Sequence, residues 1–222
     1  MAGLTVNTAE SAYAITSTEL KNWLRIDGSD DDTVISSLLI AGHNWAKRYT
    51  GRSLTTQTLT LSIDSIYDAD IPLEEGQYTG IDIDITRRSI ILPESPVASI
   101  TSVKYYDDAD TESTFASSKY YLDKAGVPAR LVLRQGESYP TGLRVANALE
   151  IKYVAGYGNA TDVPQDIKHA VLMYCAHLFE HRGDQEKNMT APYGATQLLC
   201  PYVIRQFSTN PYRGTAHYGG MV

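Results

Sequence analysis

The chain changes its hydrophobic period twice, and few folds accommodate that. Near the N-terminus apolar residues recur at steps of three and four, through the middle they alternate, and toward the end the longer step returns. A period of 3.6 puts one face of a helix into a core, and a period of two does the same for a strand. Helical segments on both sides of a β-rich middle imply an α+β fold. A helical core, an N-terminal helix hairpin plus C-terminal helices, carries an inserted antiparallel β domain and ends in an extended C-terminal tail.

Thr16 and Glu19 fit a capping box, with Ile15 and Leu20 as its hydrophobic staple. Leu20, Trp23 and Leu24 then share a face up to Asp27-Gly28. Asp30-Asp31-Asp32 open a second helix, because carboxylates favour the positive helix end. Along it Val34, Ile35, Leu38, Leu39, Trp45 and Tyr49 recur, and Gly51 supplies the stop. Asp162, Pro164 and Gln165 start a later helix with Ile167, Val171, Tyr174 and Leu178 in one stripe, and a short amphipathic run covers 198–207. The predicted helical core is Trp23, Leu24, Leu38, Leu39, Trp45, Ile167, Val171, Tyr174 and Leu178.

Leu59, Leu61 and Ile63 alternate with polar neighbours, as do Ile81, Ile83 and Ile85, and Leu149, Ile151 and Tyr153. Shorter β-like runs lie at 90–92, 101–106, 120–122 and 131–133, divided by Pro93, Pro96, Asp107-Asp108, Gly126, Pro128 and Pro140. The predicted divisions are 1–54 for the N-terminal helical part and 55–158 for the inserted antiparallel β region. Residues 159–207 complete the helical core, and 208–222 form the tail.

A net charge of −7 disfavours a protein that grips phosphates, which takes clustered Lys and Arg. Sixteen Tyr against three Phe and two Trp suit extensive interfaces, and equally suit strands. No stretch approaches the roughly eighteen apolar residues of a membrane helix, and the first residues lack a signal peptide's basic and apolar regions. Cys175 and Cys200 are too few for a disulfide framework, which fits a reducing cytoplasm. No Walker, G-x-S-x-G or dinucleotide fingerprint occurs, so no cofactor and no catalytic residue is expected.

One motif tests that expectation. His177-Leu178-Phe179-Glu180-His181 matches the H-x-x-E-H pattern of inverted zinc peptidases, with two His one turn apart and Glu180 as base. Against a zinc hydrolase, Leu178 facing the core turns Glu180 to solvent, and a downstream acidic ligand from a long helix is missing, since Asp184 and Glu186 are both close by in sequence. The motif reads as a helix end, with Arg182-Gly183-Asp184 closing it, and no metal site is expected.

The order of these pieces resembles phage head-tail connector (adaptor) proteins. The resemblance runs from Thr18-Glu19-Leu20-Lys21, Trp23-Leu24-Arg25-Ile26-Asp27 and the acidic 30–32 to Tyr49-Thr50-Gly51-Arg52. It continues through Leu92-Pro93, Pro96-Val97, Tyr153-Val154-Ala155-Gly156-Tyr157-Gly158, Val163-Pro164 and Ile167-Lys168-His169-Ala170, and ends at Phe179-Glu180-His181-Arg182. It implies a non-enzymatic virion component of the neck, assembled in the host cytoplasm and not bound to a membrane. Its partners would be the portal protein, copies of itself in a ring of about twelve, and the next neck or tail-completion protein. DNA would pass through the lumen without tight or sequence-specific binding, and a net-negative ring suits that passage. The alternative reading is a tail or baseplate protein whose β region binds a host surface.

The last segment stands apart from the resemblance. From Lys187 onward there is no acidic residue. Tyr202, Arg205, Phe207, Tyr212 and Arg213 are the expected anchors toward the portal or a neighbouring subunit, because Arg and Tyr most often carry interface energy.

Overall fold

The structure is a computed structural model that describes residues 2–64, 88–181 and 191–204. Helix α1 (Ser17–Leu24) starts where the capping box requires. The Glu19 N–H donates to the Thr16 hydroxyl at 3.2 Å, and the Thr16 N–H donates to the Glu19 carboxylate at 2.6 Å. The helix stops earlier than Gly28, because Arg25 takes the left-handed conformation and its N–H returns to the Asn22 and Lys21 carbonyls.

Helix α2 (Asp32–Thr50) follows Asp31, whose side chain makes no capping bond; Asp32 in the first turn lies at the positive helix end and is ion-paired with Lys21 of α1. Gly51 ends α2 in the left-handed region. Helix α3 (Gln165–Glu180) begins after Pro164, and Asp162 serves another purpose than expected. It forms a capping box with Asn159 on the short 3-10 turn Ala160–Asp162 that precedes the helix. Helix α4 (Tyr193–Leu199) starts ahead of the predicted run, and a 3-10 turn at Cys200–Tyr202 falls within it. Pro192 sets the start of α4, and Pro201 cannot donate to a continuing α-helix.

Among the described residues eight strands form two antiparallel sheets, one strand ahead of α1 and seven between α2 and α3. The larger has the order β1 (Ala2–Thr8), β2 (Gln57–Ile63), β8 (Leu149–Ala155), β4 (Val97–Tyr106), β5 (Glu112–Thr114). The smaller has the order β3 (Ser89–Ile91), β7 (Arg130–Leu133), β6 (Tyr120–Asp123). Strand β1 corrects the division of the chain: residues 2–8 belong to the sheet and not to a helical part. The predicted alternation at Ile81, Ile83 and Ile85 lies outside the described residues.

The alternation in β2 and β8 is realised as burial. Leu59, Leu61, Leu149, Ile151 and Tyr153 face inward and meet Leu131, Leu133 and Tyr120 of the smaller sheet. Phe115 stacks on Tyr120 and Tyr139 across this layer, each pair with ring centroids 6.0 Å apart. The buried Tyr153 hydroxyl donates to the Pro93 carbonyl at 3.0 Å, satisfying a polar atom that burial would otherwise penalise.

A second, separate core holds the helices together. Leu39, Ile167 and Val171 are buried in it with Leu20, Ile35, Cys175 and Leu199, while Leu24, Leu38 and Trp45 pack against it half-buried. Gly42 brings α2 and α3 close, since a Cβ there would overlap the Cys175 Sγ and stand 3.2 Å from a Val171 methyl. Tyr174 lies half-buried and stacks on Trp45, 4.2 Å between ring centroids and 11° between planes. Leu178 is half-buried near the end of α3. Trp23 departs from the predicted core: it is 43 % exposed. The short α1 sends Leu20 inward, and the indole lies edge-on against the exposed His169 ring at 4.9 Å.

Candidate assembly interface

Two places carry polar chemistry that the apolar cores do not. The first is where the chain leaves the helical unit. The Ile204 N–H donates to the Thr50 carbonyl at 2.9 Å, so the departing chain satisfies one of the last free carbonyls of α2. Beside it Arg52 Nε donates to the Tyr202 carbonyl at 2.5 Å, and the Tyr202 hydroxyl donates to Asp166 at 3.0 Å. Burial and then the Asp166 carboxylate raise the Tyr202 pKa, so the hydroxyl keeps its proton and the bond. Tyr202 is therefore half-buried and straps the chain to the ends of α2 and α3. Arg205, Phe207, Tyr212 and Arg213 lie outside the described residues.

The second place is a polar seam under the N-terminal segment, which sequence reasoning missed. His43 is fully buried on α2; its Nδ1 accepts the Ala14 N–H at 3.1 Å, and its Nε2 lies 2.6 Å from the Glu10 carboxylate. Lys47, one turn on, stands 3.8 Å from Glu10 and 3.5 Å from Glu94, and donates to Gln57 at 3.0 Å. Ser53 and Gln57 both donate to the Glu94 carboxylate. The Thr55 hydroxyl donates to the Ala12 carbonyl at 2.7 Å.

Burial alone would raise the Glu10 pKa, yet it is held below its ordinary value. The hydrogen bond and electrostatic pull of His43, then Lys47 and the Thr55 N–H, outweigh the desolvation. The seam joins α2, β2 and the loop after β3 to the stretch behind β1, so that β1 is held in a fixed position on the sheet. No local pattern announces it, because Glu10 and Glu94 are far apart in the chain; only the alternation of Leu4 and Val6 with Gly3, Thr5 and Asn7 marks β1 itself.

Among the described residues no group of three or more His, Cys, Asp or Glu side chains is placed to hold a metal ion. The His177 and His181 rings are 4.4 Å apart, but His181 Nδ1 is bonded to the His177 carbonyl at 2.8 Å and closes the helix. Cys175 is buried, its thiol is pushed up to about 12, and it donates to the Leu38 carbonyl. A thiol held in that state is no nucleophile. Among the described residues no helix is long and apolar enough to cross a membrane.

The fold has solved counterparts. A chain in the structure described as "Neck of empty GTA particle computed with C6 symmetry" is 21% identical, with a TM-score of 0.71 over 93% of this chain and 98% of that one. One in "Neck of native GTA particle computed with C12 symmetry" is 22% identical, with a TM-score of 0.69 over 93% and 98%. One in "Virion of native gene transfer agent (GTA) particle" is also 22% identical, with a TM-score of 0.67 over 93% and 97%. No curated protein matches the chain. At these identities the likeness establishes the fold. The sequence itself matches a family profile, head completion protein, over residues 14–206, a span that takes in the four helices and seven of the eight strands found among the described residues. The chain belongs to the head completion protein family.

Proposed function

We propose that this protein is a head-tail connector. Copies of it form a ring on the portal in the neck of a phage-like particle and link the DNA-filled head to the tail. The observation that carries the reading is the family match over residues 14–206, joined to near-complete coverage of chains from necks described with sixfold and twelvefold symmetry. The role is structural and not enzymatic, which suits a chain in which His181 closes a helix and His43 and Glu10 bond each other in a buried seam.

The partners are the portal protein, about twelve copies of the chain in a closed ring, and the next neck or tail-completion protein. The genome passes through the lumen. A subunit with a net charge of −7 adds a repulsive field toward phosphates, so the duplex slides without tight or sequence-specific binding. Assembly takes place in the host cytoplasm. The strap at Arg52, Tyr202 and Ile204 delivers the C-terminal segment from a fixed point, and Arg205, Phe207, Tyr212 and Arg213 beyond it serve as anchors on the portal or a neighbouring subunit.

The test mixes the full-length protein with purified portal and images the product. A ring of this subunit on the portal is the expected result, and a portal that never acquires one refutes the reading. Removing residues after Phe207 should leave the fold intact and weaken attachment.

A further inference from the structure

We propose that the outer edge of β1 is a docking surface for a second copy of this chain, which adds a strand to the five-stranded sheet of its neighbour. The proposal rests on the ring reading above and names the contact that closes it. Strand β1 ends the sheet, with β2 as its one partner among the described residues. Leu4 and Val6 pair with Leu61 and Leu59, so they share the face on which those residues are buried. Cross-strand partners point the same way, yet Leu4 is 39 % and Val6 50 % exposed. The apolar layer thus continues onto β1 and is left uncovered there by the described residues.

Natural sheets guard open edges with charge, proline, bulges or short strands, since an open edge pairs with any strand that meets it. The far side of this sheet is guarded in several of these ways. Strand β5 is three residues long and carries Glu112, ion-paired with Lys104 at 2.7 Å. The part of β4 that β5 leaves uncovered has register shifts between Val97 and Ser99 and between Ile100 and Ser102, and Lys124 caps the Ala98 carbonyl. Strand β1 has no such protection over most of its length. Its seven residues, Ala-Gly-Leu-Thr-Val-Asn-Thr, include no charge and no proline, and its one irregularity falls at the end, between Val6 and Thr8.

Charge identifies the occupant. A subunit of net charge −7 meets repulsion from a copy of itself wherever acidic surface faces acidic surface. Strand β2 behind β1 is also without a charged residue, so the pair presents an uncharged flank in a chain where 20% of residues are charged. That flank is where two identical acidic subunits can approach. The contact is heterologous, because a ring repeats one pairing of two different surfaces, so the neighbour supplies a segment other than its own β1. The Glu10–His43 seam holds β1 ready, which lowers the entropy lost on docking.

The experiment follows backbone hydrogen exchange by mass spectrometry in the full-length protein, free and assembled on purified portal. In the ring the peptide containing β1 should exchange at least about tenfold more slowly, while that containing β5 stays as in the free subunit. Val6→Lys, at an exposed position, should cut ring formation about tenfold, and Thr114→Lys on the guarded edge should not. Rings whose β1 exchanges as fast as in the free subunit overturn this inference and leave the ring reading standing. Portal that never gains a ring overturns both. Protection of β1 that arises only when a further neck protein is added gives the edge to that partner and overturns the assignment to a second copy. Should Val6→Lys fail to fold, the exchange measurement on the unaltered protein decides alone.

Discussion

Replacing Gly156 with alanine would strike the point where the β region hands the chain back to the helices. Gly156 has φ +117°, and a Cβ built there would overlap the Thr55 carbonyl, with the Thr56 nitrogen at 2.9 Å. Neither strand of this crossing can yield easily. The Gly156 N–H donates to the Pro96 carbonyl at 2.8 Å, the Thr56 N–H donates to the Gly158 carbonyl at 3.0 Å, and Gln57 is in register with Ala155. The unfavourable dihedral costs about 1–3 kcal/mol. Forcing backbone against backbone adds about 1–3 kcal/mol. The sum, about 2–6 kcal/mol, lowers the melting temperature by about 5–20 °C for a chain of this size. Gly136→Ala is the control, because φ there is +84° with nothing within 4 Å of the new Cβ. It bears the dihedral cost of about 1–2 kcal/mol without the overlap. Thermal and urea unfolding of both variants should place Gly156→Ala lower in stability by at least about 1 kcal/mol. Equal stabilities would show that the crossing is loose and that the close approach of Thr55 and Gly156 does not organise the junction.

Two further outcomes check the helical core and the seam. Val171→Ala, at a fully buried position between α2 and α3, should cost about 2 kcal/mol, whereas Trp23→Ala should cost less than about 1 kcal/mol because the indole is 43 % exposed; a larger loss at Trp23 in urea unfolding would return it to the core. Glu10 has a pKa held below its ordinary 4.5, so its contribution to stability is present above that value and is lost as pH falls through the lowered one. Glu10→Gln should therefore flatten the acid side of the stability–pH profile, and a parallel profile would refute the coupling to His43.

The parts of the fold that could be read in the sequence are those settled within a few residues. Thr16 and Glu19 cap α1 as their spacing requires, and Gly51 ends α2. The alternations at Leu59–Leu61 and Leu149–Tyr153 become the buried faces of β2 and β8. Where two neighbouring signals compete, the sequence misleads. Asp162 is a sound capping residue, but Asn159 lies three residues before it, and the pair closes a 3-10 turn before Pro164 can open α3. Trp23 has the helical spacing of a core residue, yet whether an indole is buried depends on what α3 places opposite it, and that is His169.

The polar seam and the edge strand were harder to read for a related physical reason. A buried polar network is specified by geometry between distant segments: His43 needs Glu10 and the Ala14 N–H, and Lys47 needs Glu94 and Gln57, none of which shares a local pattern. Strand β1 shows the complementary case, because its alternation is too short to stand out and its apolar face finds no full cover among the described residues. A single sequence specifies its own core by burying what is apolar. A residue such as Val6, patterned for burial and left exposed, shows where that rule is unfinished in one subunit. If the ring is what finishes it, protection of β1 must rise with the number of subunits on the portal and not with the first one bound. Partly filled rings, separated by size and examined by hydrogen exchange, would then show free and protected β1 populations side by side. A β1 already fully protected in singly occupied portal would place its partner on the portal.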